Sequence, residues 1–455
     1  MAYKATNPYN GELIREFSDT TAEQVEQALV NAHQFYQTAK NQPIAERAQL
    51  LQQLVAELRN QVDHYARPLT TNMGKLWPEA QAEVKKAAAF AEYYVKNGER
   101  LLQDVAYPDV PKGKAHVEYH SLGAIMMIEP WNFPFTQIMR VFAPNFIIGN
   151  PVLLKDPSII PECAHAFEAA TIKVGLPAGA FKNLFINYDQ VDQIIADDRV
   201  QGVAFTGSDS AGKKIAATAG KNLRKSTMEL GGTDVFIVLD DADLKNAIQA
   251  GVTGRLNNAG QVCTAAKRFI IHEAVYADFV AGMSAAFAKR KLGDPMDPAT
   301  TLAPLSSKQA QEQLQKQVDA VIKGGAKLIW GKNEPIAGPG ALFNPLIIEG
   351  MQADNPMYDT ELFGPVAQIY KIKTDQEALD LANHSQRGLG GSVFSANLAR
   401  ARKLASQIET GQVAINQMLT SYPELPFGGV KHSGYGRELS DLGLHEFVNA
   451  KTIIE

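Results

Sequence analysis

Hydrophobic positions in the first hundred residues recur at the three- and four-residue spacing of amphipathic helices. The pattern is clearest over 25–35 and 50–58 and in an alanine-rich stretch at 80–94. Such spacing places apolar side chains on one helix face. The sequence predicts that this part is mostly helical and carries no visible chemistry.

From about residue 117 the pattern changes to short apolar runs separated by helical lengths. It predicts strands at 124–128, 152–154, 183–186, 202–205 and 235–239, with helices at 161–174 and 210–219. Strands that alternate with helices form a parallel sheet covered by helices. We therefore expect a doubly wound α/β domain.

The alternation continues after about residue 230. Helices are predicted at 242–257 and 274–288, strands at 268–272, 346–348 and 366–369, and glycine-rich loops at 388–391 and 428–429. This indicates a second α/β domain packed on the first, since no tether-like linker separates them. The cleft between two such domains is the expected active site.

Composition narrows the class of protein. A chain of 455 residues with 45% hydrophobic and 20% charged residues is typical of a globular protein with two or three domains. Its net charge of −5 lacks the positive excess that nucleic acids or anionic lipids attract. We expect neither partner.

The cysteines and the apolar runs indicate where in the cell the protein is located. The N-terminus lacks the basic and apolar segments of a secretory signal, and the most apolar run, 122–128, is far shorter than the roughly 20 residues of a membrane helix. Two cysteines cannot form a disulfide framework. The sequence therefore predicts a cytoplasmic protein.

Cys263 lies in a glycine-containing turn before the predicted strand at 268–272. Backbone N–H groups in such a turn would lower the pKa of the thiol and stabilise an oxyanion. The alternative is a buried structural cysteine, which is the interpretation we give to Cys163.

Two further side chains are candidates for catalysis. Glu229 lies in an apolar setting before Gly231, where a raised pKa would suit a general base, although it could instead cap the next turn. Asn132 follows the strand at 124–128, at the sheet edge where α/β proteins bind ligands. Its amide could donate to an oxyanion or belong to an ordinary turn.

Two further sequence patterns bear on the binding of phosphate and of metal ions. Thr206-Gly207-Ser208 ends one strand and opens a helix, which suits a phosphate, but strand–glycine–helix junctions are common. His116 and His120 lie on a strand-like run without a thiol partner. We therefore predict no metal site.

Seven motifs in order resemble the NAD(P)-dependent aldehyde dehydrogenase superfamily from about residue 6 to the end. They are Pro130-Trp131-Asn132-Phe133-Pro134, Lys155-Asp156-Pro157-Ser158, Phe205-Thr206-Gly207-Ser208, Glu229-Leu230-Gly231-Gly232, Gly260-Gln261-Val262-Cys263, Glu361-Leu362-Phe363-Gly364-Pro365 and Pro426-Phe427-Gly428-Gly429-Val430-Lys431-His432-Ser433-Gly434.

The resemblance implies an aldehyde dehydrogenase-like α/β fold with two doubly wound domains and a small β oligomerisation element. The cofactor-binding domain would comprise 1–104 and 123–230, the catalytic domain 231–415, and the bridging element 105–122 and 430–455. A homodimer or homotetramer is expected.

The resemblance also implies roles for single residues. Cys263 would be the nucleophile, Glu229 the general base and Asn132 the oxyanion donor. The cofactor, NADP or NAD, would contact Trp131, Lys155, Ser158, Gly207, Ser208, Gly231, Glu361 and Phe363. Within that set Glu361 would hold the nicotinamide ribose, Phe363 the ring region, Lys155 the adenine ribose, and Gly207 with Ser208 the pyrophosphate.

Subgroup features point to a substrate. Thr233 and Asp234, with Arg140 as a carboxylate-binding residue, resemble bacterial succinate-semialdehyde dehydrogenases, whereas Asn257 replaces a second arginine found in some of them. The expected reaction is oxidation of succinate semialdehyde to succinate. Arg140 could alternatively brace the fold.

Other functions stay open on sequence alone. They are a dehydrogenase for another aliphatic aldehyde, a CoA-acylating enzyme, a cofactor-independent cysteine thioesterase or amidase, and a silent homologue. Glu229 argues against CoA, because a base that activates water would hydrolyse the acyl group.

Ser158 bears on cofactor choice. Many NAD-specific relatives carry a glutamate at this position, and a carboxylate would repel a 2′-phosphate. Serine removes that repulsion, so NADP should be accepted or preferred. Alternatively Ser158 caps the helix beginning near Pro161, and Asp156 adds negative charge beside Lys155.

Overall fold

The computed structural model describes residues 3–111 and 113–455. Its strands are β1 (Tyr3–Thr6), β2 (Leu13–Phe17), β3 (Val105–Val110), β4 (Gly113–Ser121), β5 (Ala124–Ile128), β6 (Val152–Lys155), β7 (Phe181–Leu184), β8 (Val200–Thr206), β9 (Lys225–Glu229), β10 (Val235–Val238), β11 (Arg268–His272), β12 (Lys327–Trp330), β13 (Leu346–Glu349), β14 (Val366–Ile372), β15 (Arg387–Gly388), β16 (Gly390–Phe394), β17 (Gln412–Ile415), β18 (Val430–Lys431), β19 (Gly434–Tyr435) and β20 (Val448–Ile454).

The helices mostly lie between these strands. They are α1 (Ala22–Ala39), α2 (Ile44–Asn60), α3 (Val62–Met73), α4 (Trp77–Leu101), α5 (Pro134–Ile148), α6 (Pro161–Lys173), α7 (Tyr188–Ala196), α8 (Asp209–Lys221), α9 (Leu244–Leu256), α10 (Glu273–Phe287), α11 (Lys308–Lys323), α12 (Asp375–Asn383), α13 (Leu398–Ala405) and α14 (Ser440–His445), with a 3-10 turn at Asn257–Gly260. Among the described residues, no helix has the length and apolarity to cross a membrane.

The predicted helical character of the N-terminal part is confirmed. The sequence pattern does not predict the β1–β2 hairpin or α3. Strand β2 is almost wholly exposed, so it lacks the alternation of buried and exposed positions that marks a strand. Helix α3 contains Pro68, which ordinarily signals a helix boundary.

The first large sheet has six strands in the order β19-β9-β8-β5-β6-β7. Strands β9, β8, β5, β6 and β7 are parallel neighbours, and β19 pairs antiparallel with β9. The carboxyl ends of parallel strands meet at one sheet edge. The residues after β5, β8 and β9 therefore lie together, and these segments contain Asn132, Gly207 and Gly231.

The second large sheet has seven strands in the order β12-β13-β14-β11-β10-β16-β17. Its strands are parallel except for the β12–β13 pair. Buried aromatic side chains from β10, β11, β16 and α10 pack in its core: Phe236, Phe269, Phe279 and Phe394. The predicted second α/β layer is therefore present.

The prediction of a loop at 388–391 is wrong. Gly388 belongs to β15, and Gly390 and Gly391 begin β16, which pairs with β10 and β17. A Cβ atom on Gly390 would lie 2.2 Å from a methyl carbon of Leu419, so glycine allows close packing on this strand.

The third sheet has three strands in the order β20-β4-β3. We propose that it is the bridging element and that the chain divides into domains near residue 230. Only the last strand of 430–455 joins this sheet, however. Strands β18 and β19 pair with β15 and β9 instead, so the segment before β20 contributes to the two larger units.

Candidate active site

Cys263 lies where two cavities meet. One, of about 270 Å³, is lined by Pro130, Trp131, Asn132, Gln137, Thr206, Gly207, Ser208, Glu229, Leu230, Gly231, Cys263, Glu361 and Phe363. The other, of about 240 Å³, contains Cys263, Arg140 and the cavity-facing residues of α4. We call the first the cofactor cavity, because it is lined by residues that the sequence predicts to bind a cofactor, and the second the substrate cavity, because it contains Arg140.

The turn that carries Cys263 has an unusual backbone. Asn258, Ala259 and Gly260 have φ angles of 50°, 53° and 78°, in the left-handed region. A Cβ atom on Gly260 would lie 2.4 Å from the Gly364 carbonyl oxygen, so only glycine fits. The buried Arg255 guanidinium donates to the carbonyl oxygens of Gly260, at 2.5 Å, and of Ala266, at 3.1 Å. The turn is thereby fixed.

The expected lowering of the Cys263 pKa is wrong. Burial raises the pKa of this thiol to about 12, and the positive charges of Arg140 and Lys267 offset only part of the rise. Desolvation thus outweighs the local charges. A base that accepts the thiol proton would therefore favour attack by the Cys263 sulfur.

Glu229 lines the cofactor cavity and is 3% exposed. Its carboxylate oxygens form no hydrogen bond of normal geometry within residues 3–111 and 113–455, although the nearby Gly429 backbone N–H acts to lower its pKa, so the side chain does not cap the next turn. Burial, followed by the negative charge of Glu438, raises its pKa well above the usual value, while Arg140 and Arg437 oppose the rise. The raised pKa that the sequence predicts for a base is therefore present.

Asn132 is anchored rather than mobile. Its side-chain Nδ2 donates to the Gln261 carbonyl oxygen at 3.0 Å, and its own carbonyl accepts from Lys75 Nζ at 2.9 Å and Asn258 Nδ2 at 3.0 Å. An amide carries two N–H donors. The second has no acceptor in the described part of the chain, so it is available to a ligand oxygen.

The cofactor cavity has the features of a nucleotide site. Glu361 Oε1 lies 2.9 Å from Lys267 Nζ and accepts from the Gly232 N–H at 3.3 Å. A Cβ atom on Gly231 would lie 2.4 Å from Glu361 Oε2, so the glycine leaves room for this carboxylate. The Trp131 and Phe363 rings pack edge to face at 5.6 Å. Together they give the cavity a carboxylate and an aromatic wall, the groups that the sequence analysis expects beside a nucleotide.

Gly207 and Ser208 connect β8 to α8. Ser208 is the N-cap residue of α8, and its Oγ accepts from the Ala211 N–H at 3.4 Å. A Cβ atom on Gly207 would lie 2.7 Å from the Phe205 ring. The junction thus exposes the N-terminus of a 13-residue helix to the cavity, as phosphate binding requires.

Lys155 is the last residue of β6 and Ser158 lies three residues after it, and neither lines the two cavities. Lys155 is buried, donates to the Asp156 carbonyl oxygen at 3.1 Å and lies 5.1 Å from the Tyr188 ring. Helix α6 has Ile160 as its N-cap residue without a side-chain bond, so Ser158 does not cap it. Burial raises the pKa of Asp156 well above its usual value, which favours its neutral form and weakens the expected repulsion of a phosphate.

Arg140 projects from α5 into the substrate cavity. Its guanidinium donates to Glu438 Oε2 at 3.3 Å and Ser421 Oγ at 3.0 Å and lies 4.1 Å from the centre of the Phe427 ring. Asn257 lines the same cavity. The sequence-based candidates Arg140 and Cys263 are therefore brought together, and Asn257, which replaces the second arginine of some relatives, lies beside them.

Sequence reasoning missed three features of the site. Lys267 is fully buried and donates from Nζ to the carbonyl oxygens of Val262 and Cys263, at 2.9 and 2.5 Å, besides its bond to Glu361. Glu438 partners Arg140. Glu83 of α4 forms a buried ion pair with Lys75 and accepts from the Phe135 N–H at 2.9 Å. The expectation that the N-terminal helices carry no chemistry is wrong.

In the sequence alone, the only signs of these features are a lysine four residues after the cysteine and charged residues within an alanine-rich helix. Neither identifies a partner.

The two sheets and the two cavities that meet at Cys263 match the architecture expected of an NAD(P)-dependent dehydrogenase. The model of the aldehyde dehydrogenase family matches residues 1–453. The chain belongs to this family and is an NAD(P)-dependent enzyme that oxidises an aldehyde.

Similar proteins support the assignment. A succinate-semialdehyde dehydrogenase [NADP(+)] of Deinococcus radiodurans is 42% identical over 451 residues, covering 99% of this chain and 94% of the relative. Another with the same name, from Mycobacterium avium, is 38% identical over 456 residues, covering 100% of this chain and 96% of the relative. The crystal structure of a succinic semialdehyde dehydrogenase from Streptococcus pyogenes with NADP+ has a TM-score of 0.98 and 47% identity, covering 100% of both chains.

Proposed function

We propose that this enzyme oxidises succinate semialdehyde to succinate with NADP. The observation that carries the proposal is the substrate cavity, which places a cationic side chain, Arg140, in the same small space as Cys263. The activity printed in the names of the two relatives agrees with it.

Cys263, Asn132 and Glu229 would divide the chemistry. The Cys263 sulfur forms a bond to the aldehyde carbon after its proton has passed to a base in the cavity. The resulting oxyanion accepts from Asn132 Nδ2 and from the Cys263 N–H, which has no acceptor within the described ranges. When bound, NADP would accept the hydride released by this thiohemiacetal, which leaves a thioester on Cys263.

Glu229 would then complete the turnover. Its carboxylate takes a proton from water, the water oxygen attacks the thioester carbon, and the carbon–sulfur bond breaks. The proton on Glu229 then passes to the departing Cys263 sulfur, which gives the carboxylic acid, the regenerated thiol and the restored Glu229 carboxylate. A buried carboxylate is suited to this step because its raised pKa makes it a better base.

A steady-state assay tests the proposed reaction. Formation of reduced cofactor should require both aldehyde and NADP, and kcat/KM should be higher for succinate semialdehyde than for butanal. A cysteine hydrolase would instead cleave a succinyl thioester without any cofactor, and equal kcat/KM for the two aldehydes would contradict the substrate assignment.

Arg140 should contribute to that preference. We expect Arg140→Ala to reduce kcat/KM for succinate semialdehyde by roughly 10- to 150-fold, the equivalent of a charge-assisted hydrogen bond of about 1.5–3 kcal/mol. The loss for butanal should be small. Because Arg140 also partners Glu438, the decisive quantity is the ratio of the two kcat/KM values. If the ratio is unchanged, Arg140 stabilises the fold and does not bind the substrate carboxylate.

Ser158 should influence cofactor choice. With Lys155 nearby and no glutamate at this position, the site tolerates a 2′-phosphate. Ser158→Glu is expected to reduce kcat/KM for NADP selectively, leaving activity with NAD. The measurement is kcat/KM for both cofactors in the wild type and the variant. A constant ratio would mean that residue 158 does not contact the 2′ group.

We further propose that the enzyme is a cytoplasmic homodimer or homotetramer that assembles through the sheet of β3, β4 and β20. Most side chains of β20 and β3 are exposed in the single chain, as expected of a surface that pairs with another copy. Free Cys163 and Cys263 suit a reducing compartment.

A further inference from the structure

The substrate cavity is lined by several charged side chains that have no role in the proposed reaction. Its charged lining residues are Lys75, Glu79, Glu83, Lys86 and Arg140. Lys75 pairs with Glu83, Arg140 pairs with Glu438, and Glu79 accepts from the Asn258 N–H at 3.0 Å. Within the described residues, Lys86 is the lining cation that has no carboxylate at ion-pair distance.

Lys86 is held in the cavity by a neutral partner. Its Nζ donates to Thr420 Oγ1 at 3.2 Å and lies 5.7 Å from the centre of the Phe90 ring. The Arg140 guanidinium lies at the same distance from that ring. The two cations therefore flank one aromatic side chain.

The charge balance at Arg140 explains why a second cation is useful. Glu438 pairs with Arg140 through a buried contact at 3.3 Å, so the Arg140 guanidinium is already engaged when a substrate carboxylate approaches it. Asn257 on the same cavity wall is uncharged. A free ammonium can supply the remaining positive charge.

We propose that Lys86 is a specificity-determining residue whose ammonium group binds the distal carboxylate of the substrate together with Arg140. This inference rests on the proposed function, because it requires an aldehyde that carries a carboxylate. Helix α4 would then contribute directly to substrate selection.

The surroundings of Lys86 give the proposal a pH signature. Burial, with the positive charges of Arg140 and Lys75, lowers the pKa of Lys86 to about 8, whereas Glu83 and Cys263 oppose the shift. Charged and titratable groups from several elements face Lys86 in this cavity. Glu79 and Glu83 lie on α4 itself, and Lys75 lies just before it. Arg140 comes from α5, and Cys263 comes from the turn before β11. The ammonium loses its charge as pH rises through about 8. Above this pH, KM for the carboxylated aldehyde should rise relative to KM for butanal.

The test compares Lys86→Met with Lys85→Met in the full-length enzyme with NADP. Lys85 is exposed on the same helix, so its replacement removes the same charge without altering the cavity. Both variants are assayed with succinate semialdehyde and butanal across the pH range of the transition. Lys86→Arg is the conservative variant.

We expect Lys86→Met to lower kcat/KM for succinate semialdehyde about 10-fold, mainly through KM, and to remove the pH dependence of the KM ratio. Butanal oxidation and the Lys85→Met variant should be unchanged, and Lys86→Arg should retain most of the preference.

Two results separate the proposals. A wild type that shows no preference for the carboxylated aldehyde would contradict the proposed substrate. A wild-type preference that survives in Lys86→Met, or equal losses on both aldehydes, would overturn the role of Lys86 alone.

Discussion

Cys263→Ala should reduce aldehyde oxidation to below about one hundredth of the wild-type rate, because the variant cannot form the bond that holds the substrate. The thiol is one group among many in the lining of the cofactor cavity, and Glu361, Trp131 and Phe363 stay in place. NADP binding should therefore be nearly unchanged. Rates of reduced-cofactor formation and a fluorescence titration with NADP measure the two quantities.

Cys163→Ala is the matched control. Cys163 is the other free cysteine, is fully buried in α6 and lies outside both cavities. This variant should oxidise aldehyde at a rate close to that of the wild type. Oxidation by Cys263→Ala above about one hundredth of the wild-type rate would remove Cys263 from the role of nucleophile.

Glu229→Gln should give a single burst of reduced cofactor followed by almost no turnover. Hydride transfer precedes the water step, so loss of the base blocks only hydrolysis of the thioester. Stopped-flow absorbance should show a burst amplitude close to the enzyme concentration. Loss of the burst as well as the turnover would mean that Glu229 acts earlier, as the acceptor of the Cys263 proton.

The pH dependence of turnover provides a second view of Glu229. Its pKa is raised, so the carboxyl is neutral at low pH and becomes a base as pH rises through that pKa. Where hydrolysis limits turnover, the wild-type rate should increase with pH. The slow turnover of Glu229→Gln should lack this increase, because glutamine does not titrate.

The positions of the main site residues could be predicted because they follow strands. Asn132, Gly207 and Gly231 come after β5, β8 and β9, and parallel strand order alone places such segments at one sheet edge. Cys263 precedes β11, which belongs to the seven-stranded sheet. Its position near the edge of the six-stranded sheet was expected only from the resemblance to a family.

Pairs that are distant in the chain could not be predicted. Arg140 and Glu438 are 298 positions apart, and Lys86 and Thr420 are 334 apart. No local periodicity reports such contacts. The predicted direction of the Cys263 pKa shift was wrong because it also depends on residues distant in the chain. Desolvation by the surrounding fold outweighs the nearby charges of Arg140 and Lys267.

We propose a mechanism in which an acyl group forms on Cys263 and is released by water that Glu229 activates. Its most direct test is peptide mass spectrometry of Glu229→Gln, quenched with acid after mixing with succinate semialdehyde and NADP. We predict a succinyl thioester on Cys263 in an amount that matches the burst of reduced cofactor. Reduced cofactor without an acyl group on Cys263 would contradict this account.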